Sequence, residues 1–317
     1  MDIKLTSLLS LTYYRRYSKL LHARTSMEIA VSNKSRYKLF GTRLANILQV
    51  KMHKLLFSYE RGDGTPILLI HGFGGSTYSW RYLTESLSRK NKVIAVDLIG
   101  FGESEKPTNF SYSITDQASV LADFIIEKCL SDIILIGHSF GGAVILSMLS
   151  ANENRLDRII KKLILIDTPA FNQKVPSFIM LLRNRPLANL GFFIRTNRTN
   201  ILAVLKKVFF NKLLISDEMV TIYAKQLESK EGRNALLKTV RQINRVQKLT
   251  SDFCLASINL PTLIIWGEYD KIVPISSGKR LNQQIRNSTL KIISNCGHAP
   301  HEECPEPTIK AILDFID

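Results

Sequence analysis

At 317 residues, with 45% apolar and 22% charged side chains, the chain can bury a large core and is too apolar to be disordered. It holds 43 Lys/Arg against 27 Asp/Glu, a formal charge of +16. The first 50 positions contain no apolar run of about 18 residues, so no transmembrane helix is expected there.

The charge is uneven. Residues 1–56 hold 11 Lys/Arg against Asp2 and Glu28, and residues 169–258 hold 15 against 5. No nucleic-acid-binding motif accompanies these lysines, so nucleic acid is not expected as a partner. Peripheral contact with an anionic membrane suits the charge better. Residues 1–50 read as a basic arm, rich in Arg, Lys and Ser and poor in acids. That composition suits an organelle-targeting peptide or an amphipathic arm. It suits a secretory signal poorly, because the basic residues follow the apolar run 5–11. The expected location is cytoplasmic or peripheral to a membrane. Cys129, Cys254, Cys296 and Cys304 show no Cys-x-x-Cys spacing and read as reduced thiols. No His/Cys pair has ligand spacing on one element, so no metal is expected.

The body starts near Val50. Residues 53–60 read as a strand and 61–65 as a turn. A buried strand at 67–70 runs into His71-Gly72-Phe73-Gly74-Gly75-Ser76, which has neither the Gly-Lys-Ser/Thr end of a phosphate loop nor dinucleotide-site spacing. Residues 76–89 read as a helix with Trp80, Leu83 and Leu87 at helical spacing. A strand at 93–97 leads to the turn Gly100-Phe101-Gly102-Glu103-Ser104, which Asp97 is placed to anchor. A helix at 115–128 and a strand at 133–136 follow. Then come Gly137-His138-Ser139-Phe140-Gly141 and good helix formers through Ser150. Strand, Gly-x-Ser-x-Gly and helix in succession form a nucleophile elbow, in which a sharp turn exposes the serine hydroxyl and tolerates no bulk two residues to either side. The helix that starts there favours an anion at its N-terminus.

A further strand at 163–167 completes an alternation of strands and helices. This predicts a parallel sheet covered on both faces, with ligands at the carboxyl ends of its strands. From Pro169 to Ser257 the pattern is helical only, at 178–183, 201–214, 216–227 and 233–246. The domain reading is therefore an arm (1–50), a core (51–168 and 259–317) and a helical cap (169–258). After Pro261 come a strand at 262–266, the turn Gly267…Asp270…Val273-Pro274, a helix at 276–286, a strand at 289–293, a loop at 295–305 and a closing helix at 306–316.

Ser139, Asp270 and His298 each follow a strand, in that order. On these residues, on the His71–Gly75 and Asp97–Ser104 loops and on Gly297-His298…His301-Glu302…Pro305, the sequence resembles the α/β-hydrolase superfamily from about residue 55 to residue 317. The resemblance implies a mostly parallel α/β-hydrolase sheet flanked by helices, with an inserted cap. It implies Ser139 as nucleophile, His298 as base and Asp270 as the acid that fixes the imidazole. Backbone N–H groups of Phe73 and Phe140 would form the oxyanion hole, with no cofactor. His301 is the rival base, three residues from His298. Asp167 is the rival acid, since it also ends a strand. Capped serine esterases and lipases, and cofactor-free carbon–carbon hydrolases, are the most similar types. Haloalkane dehalogenases and epoxide hydrolases carry aspartate where this chain has Ser139. The expected activity is hydrolysis of an apolar carboxylic ester. The alternatives are cleavage of a carbon–carbon bond in a vinylogous diketone with the same triad, and a ligand receptor of low turnover.

Overall fold

Short runs of Ile, Leu and Val, too brief for helices and bounded by glycine turns, become the centre of one sheet. The structure, a computed structural model, describes residues 55–151, 156, 158–171, 176, 179–180, 182, 197–249 and 255–317. The basic arm, half of the helix expected at 178–183, and Cys254 lie outside the described residues. The strands are β1 (Ser58–Arg61), β2 (Thr65–Ile70), β3 (Asn91–Val96), β4 (Ile133–His138), β5 (Ile160–Ile166), β6 (Thr262–Gly267) and β7 (Ser288–Ile293). Their spatial order is β1-β3-β2-β4-β5-β6-β7. Only the edge strand β1 runs antiparallel to its neighbour. All six residues of β4 and of β6 are buried, which is why these strands read as unbroken apolar runs.

Helices α1 (Arg81–Leu87) and α9 (Pro305–Ile316) cover one face of the sheet. Helices α2 (Ile114–Glu127), α3 (Phe140–Ala151) and α7 (Ile275–Gln284) cover the other. The chain leaves β2 toward β3 and later enters β4 on the opposite side of β2. The crevice beyond the carboxyl ends of β2 and β4 is therefore a topological switch point, where ligands bind in open α/β sheets. The His71–Ser76 loop and Ser139 both open into it.

Between β5 and β6 stand α4 (Asn197–Val208), α5 (Asp217–Lys225) and α6 (Lys230–Leu249). They form apolar clusters of their own: Leu205, Phe209, Met219 and Val220 in one, and Ile179, Leu227, Leu236 and Val240 in another. Gln226 Nε2 ties this insertion to the core by donating to Gly100 O at 2.6 Å. Among the described residues, no helix is long and apolar enough to cross a membrane.

Three expectations change. The run at 201–214 is not one helix: α4 stops at Val208, and a 3₁₀ turn follows at Lys212–Leu214. The break is tertiary in origin, because Val208 O accepts the His298 N–H and the Asn211 N–H donates to Glu303 Oε1. The helix expected from residue 76 opens as a 3₁₀ turn, Thr77–Trp80, whose first N–H is taken by Asp97 Oδ1 at 2.6 Å. The loop 295–305 contains a single helical turn, α8 (Pro300–Glu303).

Candidate active site

Ser139 leaves β4 with φ of +48°, a left-handed conformation that costs a non-glycine residue roughly 1–3 kcal/mol. Backbone bonds on both sides hold it there. Its N–H donates to Ile166 O at 2.8 Å, and its carbonyl accepts the Ala143 N–H at 3.1 Å. A Cβ on Gly141 would strike the carbonyl oxygens of Ile70 and His71, and one on Gly137 would lie 2.7 Å from Gly142 Cα. The absence of bulk two residues to either side of the serine therefore has a concrete steric cause.

His298 meets Ser139 and Asp270. Its Nε2 lies 2.9 Å from Ser139 Oγ, and its Nδ1 lies 2.7 Å from Asp270 Oδ2. With the Nδ1–H donated to a carboxylate, Nε2 is left to accept the serine O–H. Asp270 is aimed by its other oxygen: Oδ1 accepts the N–H groups of Ile272 at 2.7 Å and Val273 at 3.0 Å. The backbone of His298 is pinned too. Its N–H donates to Val208 O at 2.8 Å, and its carbonyl accepts from His138 Nε2 at 2.7 Å.

The other histidines of the centre are structural. His71 donates from Nδ1 to Gly72 O at 2.8 Å and accepts the Leu98 N–H at Nε2 at 3.0 Å, which ties the glycine loop to the end of β3. Burial lowers the pKa of His71, and burial with the neighbouring imidazoles of His301 and His298 takes His138 well below the usual value. His301 packs against Trp80 and His138 with ring centroids 4.5 and 4.4 Å away. Burial, then the Arg81 charge, pushes it down to about 3. The rival base thus sits neutral in the core while His298 faces Ser139. Asp97 anchors the turn as expected, accepting from Thr77 N and from Glu103 N at 2.7 Å. Phe140 opens α3, in the first turn where N–H groups lack intrahelical acceptors. Phe73 follows Gly72, whose missing Cβ would stand 3.3 Å from Ser139 Cβ, so both residues border the serine.

Two neighbouring acids had no role assigned from the sequence, although Glu302 stands in the motif that carries the resemblance. Glu302 is buried and accepts from Arg81 Nη1 at 2.6 Å and Tyr223 OH at 2.7 Å. Burial raises its pKa, and Arg81 and Tyr223 oppose the rise. Glu303 takes the Asn211 N–H at 2.6 Å on Oε1 and the Gly297 N–H at 2.7 Å on Oε2. The pair joins the His298 loop to α1 and to the insertion. The only signal in the sequence was two adjacent acids beside the histidine. Ligand atoms of His138, Asp167 and His298 lie within 4.8 Å of one another, the one group of metal-ligand spacing found among the described residues. Both nitrogens of His298 are already engaged by Ser139 and Asp270, so this group does not fit a metal.

The sequence profile of the alpha/beta hydrolase fold family matches residues 65–305, and the chain belongs to that family. It is similar to the uncharacterized hydrolase YugF of Bacillus subtilis (strain 168), at 29% identity over 258 residues, covering 81% of this chain and 92% of that one. It is similar to a 2-hydroxy-6-oxo-2,4-heptadienoate hydrolase of Pseudomonas putida, at 26% identity over 264 residues, covering 81% and 91%. Among solved structures it is similar to a thermophilic esterase from Thermogutta terrifontis, at 25% identity and a TM-score of 0.67, covering 82% of this chain and 92% of that one.

Glu303→Ala should leave the Gly297 and Asn211 N–H groups without acceptors, at roughly 1–3 kcal/mol each. Urea unfolding should show that loss, with Glu303→Gln, which keeps an acceptor oxygen, losing less. An unchanged midpoint in the alanine variant would contradict the assigned role.

Proposed function

We propose that the chain is a serine hydrolase of apolar carboxylic esters. The observation that carries the reading is the unbroken hydrogen-bonded line from Ser139 Oγ through His298 to Asp270, at the carboxyl end of β4. His298 Nε2 takes the hydroxyl proton as Ser139 attacks the ester carbonyl, and then protonates the leaving alcohol. Asp270 holds the imidazole tautomer and stabilises the imidazolium. The N–H groups of Phe73 and Phe140 receive the tetrahedral oxyanion, where one such donor supplies about 3 kcal/mol. Water activated by the same imidazole then releases the acyl group from Ser139. No step calls for a metal or an organic cofactor.

The insertion supports the choice of an apolar substrate. Phe73, beside the nucleophile, packs against Ile179, Leu227, Leu236 and Val240, an apolar wall next to the oxyanion position. On this reading residues 169–258 act as a cap over the 51–168 and 259–317 core. The second reading, carbon–carbon hydrolysis of a vinylogous diketone, is favoured by the similarity to the heptadienoate hydrolase. It uses the same three residues.

We also propose that the cap touches an anionic membrane. Past the break at Val208 the chain exposes Phe210, Leu214 and above all Leu213, at 93% exposure. Phe210 stacks on exposed Tyr269 at 4.4 Å, and Lys206, Lys207 and Lys212, near them in sequence, are exposed. Of the two acids that follow, Asp217 pairs with Arg198 at 3.0 Å and Glu218 is exposed. Exposed apolar side chains with exposed lysines in the same segment suit an anionic lipid surface. The turn is joined to the reaction centre through the bond from His298 N to Val208 O.

Turnover of a panel of aryl and alkyl esters graded by chain length, with a vinylogous diketone beside it, tests the reaction. Ester hydrolysis should dominate, and diketone cleavage without ester turnover would favour the second reading. Ser139→Ala should lose roughly 10³-fold or more of the activity, and Asp270→Asn about 10³–10⁴-fold. Wild-type rates in either variant would overturn the mechanism. In sedimentation assays the protein should pellet with anionic vesicles at low salt, less at high salt, and less after Leu213→Asp. Equal pelleting with neutral vesicles, or none at all, would remove the membrane proposal.

A further inference from the structure

Asp167 ends β5 at zero exposure, with φ of +45°. Its Oδ1 accepts the Gly267 N–H at 3.0 Å, and its equally buried Oδ2 receives no hydrogen bond. The Asp270 carboxylate is its neighbour across His298: a carboxylate oxygen of Asp167 lies within 4.8 Å of a His298 ring nitrogen, and His298 Nδ1 lies 2.7 Å from Asp270 Oδ2. The Asp270 carboxylate is already an acceptor at both oxygens, for Ile272 and Val273 on one and His298 on the other. Two carboxyl groups therefore share one buried site, and the orphaned Oδ2 of Asp167 is satisfied there as a donor, with a proton on it.

The surrounding groups cannot supply that proton. Asp270 from the loop after β6, Glu303 from α8 and the Cys296 thiol from the loop after β7 are the charged and titratable groups that act on Asp167 electrostatically. The imidazoles of His138 and His298 complete the group. Backbone N–H groups, His298 and a 4.0 Å contact from Cys296 Sγ are the donors to the three carboxyl groups. Among the described residues, no lysine or arginine bonds any of them. Asp270 has three donors and Glu303 has two backbone donors, whereas Asp167 has one. Asp167 is thus the carboxyl least able to hold a charge. Burial, followed by the charge of Asp270, raises its pKa well above the usual carboxylate range.

We propose that Asp167 is a neutral carboxylic acid whose Oδ2–H donates to Asp270, a positioning residue that keeps Asp270 ionised and aimed at His298. The inference rests on the proposed Ser139–His298–Asp270 mechanism for its kinetic consequence only. Removing the donor makes the Asp270 carboxylate more basic. The imidazolium of His298 is then held more tightly, and the acid limb of kcat/KM moves up in pH. An amide in place of the acid still donates and leaves the limb where it was. An ionised Asp167 would behave oppositely, since Asn would remove a negative charge near His298 and lower the limb.

Infrared difference spectra at neutral pH, wild type minus Asp167→Asn, should contain the carbonyl stretch of a protonated carboxyl. The band should persist in a Ser139→Ala background. The pH profile of Asp167→Asn should match wild type, and that of Asp167→Val should be displaced upward by roughly half to one unit. Loss of only ionised-carboxylate bands, or a downward limb in Asp167→Asn, would overturn the proposal. Where the valine variant does not fold, the infrared comparison decides alone. If the mechanism itself is wrong, Ser139→Ala retains turnover while the infrared band still reports on Asp167.

Discussion

His298 is held at four points, and the proposed reaction centre depends on all of them. Its N–H is bound by Val208, its carbonyl by His138, one ring nitrogen by Asp270 and the other by Ser139. The four partners come from the end of α4, the end of β4, the loop after β6 and the elbow. The sheet carries three of these, His138 and Ser139 at the end of β4 and Asp270 after β6. The insertion supplies the fourth, Val208, which makes it part of the seat of the imidazole. A Cβ on Gly297 would strike Val208 O, so this close approach requires glycine before the histidine.

The electrostatics divides labour among groups of the same type. His71, His138 and His301 are kept neutral by burial and serve as rigid donors, acceptors and packing surfaces. The unfolded chain protonates His301 near pH 6.5 while the fold resists down to about 3. The unfolded state therefore binds the extra proton across that window, and stability falls as pH drops through it. The acids divide likewise. Glu302 is paired with Arg81 and Tyr223, Glu303 caps two backbone N–H groups, and Asp270 serves His298. A buried carboxylate persists where donors converge on it, and each of these three has at least two.

The sheet and the elbow were legible because their signals are local. Ile133 through Gly142 carries the strand, the glycines and the helix start within ten residues, and the steric reason for Gly137 lies in the same turn, although that for Gly141 is the backbone of Ile70 and His71 at the end of β2. The alternation of elements announced the order of the fold in the same way. What could not be read depends on contacts distant in sequence. Residues 201–214 are good helix formers, yet the helix ends at Val208 because His298 and Glu303 claim its backbone from the far end of the chain. Glu302 is visible as a residue, but its bond to Arg81 spans 221 positions. His298 and His301 differ little in local sequence. The glycine before His298 is the local sign in its favour, and the structure adds its bonds to Ser139 and Asp270 and the packing of His301 on Trp80 and His138.

The most direct test of Ser139 as the nucleophile is the site of covalent modification by an alkyl fluorophosphonate. Peptide mapping by mass spectrometry after stoichiometric labelling should place the adduct on the peptide containing Ser139, with labelling slowed when His298 is replaced by alanine. An adduct on another residue, or equal labelling rates in the two proteins, would contradict the account.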